Sequence, residues 1–231
     1  MTTRVIGART VRNEDPRFLR GLASFVDDVS PSGVLHAACL RSPHAHARIL
    51  AIDASRARAV PGVHLVVTAS DLGDLNEPGP LLIPHPNLTH PRTQRPLAQN
   101  EVRFVGETVA FVVAEDRYIA EDAVDLIAVE YEPLPVVTDV EAALAAGAPR
   151  VHADVAENRA ARFPQRVGDP DGGFRLAAHR FRDRLVIERS CGSPIEGRGV
   201  VAEHDPRTPV LRVWTSTQAP LPIKHGLARM F

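Results

Sequence analysis

Two short segments carry more special residues than a connecting turn needs. Residues 191–199 read Cys191-Gly192-Ser193-Pro194-Ile195-Glu196-Gly197-Arg198-Gly199, and residues 214–220 read Trp214-Thr215-Ser216-Thr217-Gln218-Ala219-Pro220. In the second, a strand pattern ends in hydroxyls and an amide just before a helix pattern starts. Strand C-termini that lead into helices are common ligand positions, and Gln218 can both donate and accept hydrogen bonds there. A capped strand–helix junction would use the same residue types. His44 and His46 stand at i and i+2, so on a strand both imidazoles would share one face, as some metal sites require. No third or fourth ligand stands nearby in sequence, and a loop or strand-edge role after Pro43 is the simpler reading. His85 and His90 lack such support as well. The run Gly168-Asp169-Pro170-Asp171-Gly172-Gly173 lacks the ligand spacing of an EF-hand and any Gly-Lys-Ser/Thr, and reads as a capped helix entry. No protein metal centre is expected.

The elements that must position these residues are mixed. Residues 34–40, 49–52 and 64–68 are short apolar runs of strand length, and Asp53 is placed to cap a brief helix over 54–60 that Pro61-Gly62 ends. A loop over 73–96 follows, holding six prolines; loops this long are usually functional or contact a partner. Strand patterns cover 102–105 and 108–114. Asp116 then caps a helix with Ile119, Ala123, Leu126 and Ile127 on one face. Residues 129–131 return as a strand, and Thr138 with Glu141 has capping-box spacing ahead of a short helix closed at Gly147.

Residues 1–147, with a core over 17–137, thus form one α+β domain. Residues 148–167 are polar and weakly periodic and read as a linker. From 168 to 231 the patterns give a helix over 169–178, strands over 181–187, 199–203 and 210–216, and a helix from Pro220 with Ile223, Leu227 and Met230 on one face. So few strands with one open helix cannot cover an apolar face, and this second domain is expected to be incomplete.

Composition narrows the function classes. Of 231 residues, 44% are hydrophobic, 27 are basic and 28 acidic, which excludes global disorder and a one-signed field for nucleic acid or anionic lipid. Lys224 is the single lysine among those 27, and the joint abundance of Ala, Pro, Gly and Arg reads as coding bias. Cys39 and Cys191 form neither a disulfide framework nor a zinc pattern. No apolar segment resembles a signal peptide or a membrane span, and cytoplasmic residence is the expectation.

Taken together and in order, these segments resemble the molybdopterin-binding large subunits of the xanthine dehydrogenase/aldehyde oxidase family, in particular its carbon monoxide dehydrogenase-like branch. Residues 12–28 (Glu14-Asp15-Pro16-Arg17-Phe18-Leu19 and Gly21) are similar to the family's opening. The run over 41–49 (Arg41-Ser42-Pro43-His44-Ala45-His46-Ala47-Arg48-Ile49) is close to its most recognisable N-terminal motif. Residues 103–110 and 129–135 look like landmarks of its α/β hammerhead domain. Residues 194–199 are similar to the PxEPRG segment that opens the molybdenum-binding region, with Gly197 for the usual proline, and residues 214–220 to the segment whose glutamine lies beside the metal. Leu221 stands where a histidine often follows.

The resemblance implies an α/β hammerhead domain followed by the incomplete N-terminal portion of a molybdopterin-binding domain. It implies an oxidoreductase that hydroxylates aldehyde or N-heterocycle substrates, or oxidises carbon monoxide, with water-derived oxygen. Gln218 is then the catalytic and cofactor-binding residue. The cofactor implied is molybdenum-molybdopterin in its cytosine dinucleotide form, with FAD and 2Fe-2S clusters on companion subunits and none bound to this chain alone. The glycine-rich pterin-binding segment and the catalytic glutamate lie beyond Phe231 in full-length relatives. The chain is therefore expected to be inactive alone, as half of a split subunit or as a truncated or frameshifted product. Its partners would be the chain carrying the rest of the domain and the FAD and iron–sulfur subunits, with no nucleic acid and no membrane span. A noncatalytic assembly module built on the hammerhead domain and its proline-rich loop is the alternative.

Overall fold

A computed structural model describes residues 6–81 and 83–231. Leu82 of the proline-rich loop and the five residues that begin the chain lie outside the described residues. In chain order the elements are α1 (Asp15–Phe18), β1 (His36–Arg41), β2 (Ala47–Asp53), α2 (Ser55–Arg58), β3 (Val63–Thr68), α3 (Ala69–Leu72), β4 (Glu101–Val102) and β5 (Thr108–Ala114). They continue with α4 (Arg117–Val124), β6 (Ala128–Pro133), α5 (Val140–Leu144), α6 (Pro170–Leu176), β7 (Val200–Asp205), β8 (Val210–Thr215) and α7 (Pro220–Met230). Two compact units result. The larger comprises Leu35–Leu185 with Ala219–Phe231, and the smaller comprises the residues before Leu35 with Val186–Gln218.

The larger unit is built on β5. Its sequence TVAFVVA is almost wholly apolar because the strand is covered on both faces: Val109, Ala110, Val112 and Ala114 are fully buried. β1 and β3 pair with it on either side, antiparallel, in the order β1-β5-β3. β2 is flanked by β4 and β6 in a second antiparallel sheet. Ala47, Ala98, Val102 and Val109 form the buried cluster that joins the two sheets. On the other side, α4 sets Ala123 onto Ala110, Val112 and Val66. Small residues on the helix let its axis come close to the strands.

Local chemistry explains the boundaries. The carboxylate of Asp116 accepts from Ile119 N at 2.8 Å, as the cap reading requires, but α4 stops at Val124, and Leu126 and Ile127 follow in the turn. Asp139, and not Thr138, caps α5, accepting from Ala142 N at 2.7 Å. α2 is shorter than expected: Asp53 accepts from Ser55 N at 2.9 Å, which spends its carboxylate on the turn into the helix. β4 ends at Val102, because the next residues fold into a tight turn in which Gly106, at φ +91°, donates to Ser42 O. The proline-rich loop is fastened at its base by Asn76, 1% exposed, whose amide donates to Leu97 O and whose carbonyl accepts from Leu97 N.

The polar stretch expected as a linker is hydrogen-bonded along that loop. Thr89 N donates to Ala160 O, Arg162 N to Asn87 O, and Leu88 bridges Ala161. Arg92 meets Asp154 at 2.8 Å. Its few apolar residues give no periodic signal because backbone and ion-pair contacts hold it instead.

The strand expected over 181–187 is absent. Phe181, Leu185 and Ile187 are 88–95% exposed, and no described strand lies alongside to complete a ladder. Alternation alone cannot satisfy backbone groups without a neighbour. β7 and β8 do pair, antiparallel, with Val201 opposite Trp214 and Asp205 opposite Val210. Asp205 closes their turn by accepting from Arg207 N and its guanidinium.

Candidate functional site

The smaller unit brings together the two segments singled out by their chemistry. Ser216, the first residue past β8, is the stitch. Its hydroxyl donates to Gly197 O at 3.0 Å and accepts from Gly199 N at 2.9 Å, while its own N donates to Gly199 O at 3.2 Å. The loop before β7 is thereby clamped to the end of β8. Glu196 fixes the same loop from its other side, its carboxylate accepting from Val26 N at 3.1 Å. A Cβ at Gly199 would come within 3.0 Å of the Val26 side chain, so glycine is what lets the two segments close. Glu196 and Ser216 are legible in the sequence as polar residues of dense segments, but not as the two anchors of one loop, because Val26 is 170 positions from Glu196.

Gln218 lies two residues beyond Ser216, and its carboxamide is exposed. Around the clamped loop, Gly192 and Gly197 have open space where a Cβ would stand. Cys191 is exposed too, and hydrogen bonds from Ser193, with the nearby Arg198 charge, hold its thiol below the ordinary range. Ser193 takes a left-handed conformation at φ +37°. The arrangement offers a hydrogen-bonding amide two residues beyond a clamped strand end.

A second polar region, in the larger unit, escaped the sequence reading. A cavity of about 610 Å³ is lined by Arg92, Arg95, Arg103, Glu107, His152 and Asp154, among others. Each guanidinium is already paired: Arg92 with Asp154, Arg95 with Glu77 at 2.9 Å, and Arg103 with Glu101 at 3.2 Å. Burial pushes the Glu107 carboxyl above its ordinary value, against hydrogen bonds from the backbone N–H groups of Arg103 and Phe104. Burial and the Arg103 and Arg92 charges push His152 below its ordinary value. These residues come from segments some fifty positions apart, so no local spacing could have flagged them.

The histidines disperse. His44 packs edge-on against Tyr131, His46 bonds Pro135 O, His85 packs against Phe163 and His90 bonds Glu157 O. Among the described residues no three His, Cys, Asp or Glu side chains gather as a metal site, and no helix is long and apolar enough to cross a membrane.

Paired antiparallel sheets with α4 against them, followed by a clamped strand end presenting an amide, define a hammerhead domain joined to part of a cofactor-binding domain. Residues 20–135 match the aldehyde oxidase and xanthine dehydrogenase a/b hammerhead domain, and residues 151–231 match the molybdopterin cofactor-binding domain. The chain belongs to the aldehyde oxidase and xanthine dehydrogenase family. It is 40% identical over 228 residues to the carbon monoxide dehydrogenase large chain of Afipia carboxidovorans, covering 93% of this chain and 27% of that one. It is 38% identical over 228 residues to the nicotine 6-hydroxylase large subunit of Paenarthrobacter nicotinovorans, covering 99% and 28%. The crystal structure of quinoline 2-oxidoreductase from Pseudomonas putida 86 superposes with a TM-score of 0.85 at 40% identity, over 96% of this chain and 28% of that chain. The match is to the N-terminal part of molybdenum hydroxylase large subunits, and the chain spans a little over a quarter of their length.

Proposed function

We propose that this chain serves as the hammerhead and opening cofactor-domain part of a molybdenum hydroxylase large subunit, an oxidoreductase acting on aldehyde, N-heterocycle or carbon monoxide-type substrates. The observation that carries the reading is the clamp in which Ser216 joins residues 197–199 to the end of β8 and leaves the Gln218 amide exposed just beyond. Gln218 is the catalytic and cofactor-binding residue in this reading. Its N–H and C=O suit the polar edge of a cofactor that brings its own metal ligands. When bound, a molybdopterin would supply a dithiolene-held metal at which substrate is oxidised with water-derived oxygen. The residues of this chain bind and orient: Ser216 and Glu196 hold the loop, and Gln218 offers its amide from a position those contacts keep from drifting.

The cytosine dinucleotide form of the cofactor, FAD and 2Fe-2S clusters on companion subunits, a polypeptide carrying the remainder of the domain, and a cytoplasmic location complete the proposal. The names of the relatives, each a large chain or subunit, support a multi-subunit assembly. The test is co-purification of the chain with co-expressed neighbouring gene products, with molybdenum and pterin measured in the complex. Metal and pterin should be retained, and Gln218→Ala should lower turnover by about 100-fold while the complex still assembles. A stable, metal-free chain that captures no such partner would overturn the reading in favour of a noncatalytic assembly module.

A further inference from the structure

In the larger unit, the start of β2 and the turn after β4 each bury a polar atom without a hydrogen-bond partner among the described residues: His46 Nε2 and Arg103 Nε. The ring tautomer is fixed by its other nitrogen. His46 Nδ1 lies 2.9 Å from Pro135 O, and a carbonyl only accepts, so Nδ1 carries the proton and Nε2 of the neutral ring is an acceptor. Both Nη atoms of Arg103 donate to Glu101, Nη1 to its carbonyl at 3.3 Å and Nη2 to its carboxylate at 3.2 Å, while the buried Nε–H has no such partner. His46 and Arg103 line one small cavity of about 20 Å³, together with Ala45, Pro135, Val136 and Val151 among others.

We propose that one water molecule is a fixed part of the fold in this cavity, accepting from Arg103 Nε–H and donating to His46 Nε2, and so tying the start of β2 to the turn between β4 and β5. The volume suits it, since a single water needs about 10–15 Å³ of such space. The chemistry selects it: an anion would meet the lone pair of the ring, a cation would meet the guanidinium, and an apolar group would leave both polar atoms unsatisfied. A water also serves either charge state of the ring, because it can accept from both side chains if Nε2 becomes protonated. The bridge is independent of the proposed oxidoreductase role and links two segments, 41–49 and 103–110, that sequence alone marks only as separate motifs.

Protein–water NMR on the full chain reads the bridge directly. The Arg103 Nε–H should show a cross-peak to a long-lived internal water, with His46 protonated at Nδ1, and the cross-peak should be lost in His46→Phe. No water cross-peak in the unsubstituted chain, or a scalar coupling running straight from Arg103 Nε–H to His46 Nε2, would overturn the proposal. So would a cross-peak that survives in His46→Phe, which would give the water to Arg103 alone. If that variant fails to fold, a crystal structure of the unsubstituted chain at a resolution that shows ordered water decides: density within hydrogen-bonding distance of both atoms supports the bridge, and a dry cavity refutes it.

Discussion

The two thiols sit in opposite settings. Burial raises the Cys39 thiol, with Arg41 opposing, whereas Cys191 is exposed and lowered by its Ser193 hydrogen bonds and by Arg198. Thiolate fraction and access both favour Cys191, so mass spectrometry after brief alkylation at neutral pH should find it modified well before Cys39. Two titrating groups of the polar cavity give opposed pH dependences. The folded His152 resists protonation, while the unfolded ring takes up a proton near its ordinary 6.5. Stability from this residue is therefore full above that value and is lost as pH falls from it to the lower folded value. Glu107 runs the other way. Its folded value is raised by burial, so its charged form weakens the fold as pH rises through that value, and the loss is recovered as pH falls toward the unfolded one. Denaturation midpoints across pH should show Glu107→Gln without its loss at higher pH and His152→Asn without its loss on acidification.

At the scale of elements, turns fix what strand patterns leave open. The turn from α2 into β3 rests on Gly62, at φ +86°, whose carbonyl accepts from Glu115 N at 2.9 Å. A Cβ there would also come 2.8 Å from Ile119 Cδ1 on α4. Gly62→Ala should lose about 1–2 kcal/mol in denaturant unfolding from the left-handed backbone alone, and more if Ile119 cannot move. The sequence marks this turn through Pro61-Gly62 but is silent on Ile119, which reaches it only because α4 packs over the β1-β5-β3 sheet. The apolar run of β5 and the Asp116 cap were likewise legible, because each depends on residues a few positions apart. The Ser216 clamp was not, since its three hydrogen bonds join segments 17 to 19 positions apart.

For the whole molecule, the contrast lies between a strand buried on both faces and a long stretch outside any helix or strand. β5 is paired on both edges. Residues 177–199 form no helix or strand, and the exposed Phe181, Leu185, Ile187 and Ile195 lie along them. β7 and β8 form a two-stranded sheet, which has little independent stability. Hydrogen exchange on the chain by itself should therefore show β5 strongly protected, β7 and β8 weakly, and 177–195, ahead of the clamped loop, exchanging close to an open chain. Protection of that stretch equal to that of β5 would contradict the exposed backbone, outside any helix or strand, seen there.

Sequence by itself determined the family and the approximate places of most strands and helices, and it marked Gln218 as the candidate that the proposed function rests on, because apolar periodicity, caps and motif order are all written locally. Tertiary structure alone decided which apolar segments become strands, how the 148–167 stretch is held, and which polar groups meet. Alternation at 181–187 names a face but no partner, and a ladder needs both. The cavity of Arg92, Arg103, Glu107 and His152 exists only because the sheets and the proline-rich loop bring distant segments together. Burial then shifts their proton affinities, and burial belongs to the fold, not to any stretch of residues.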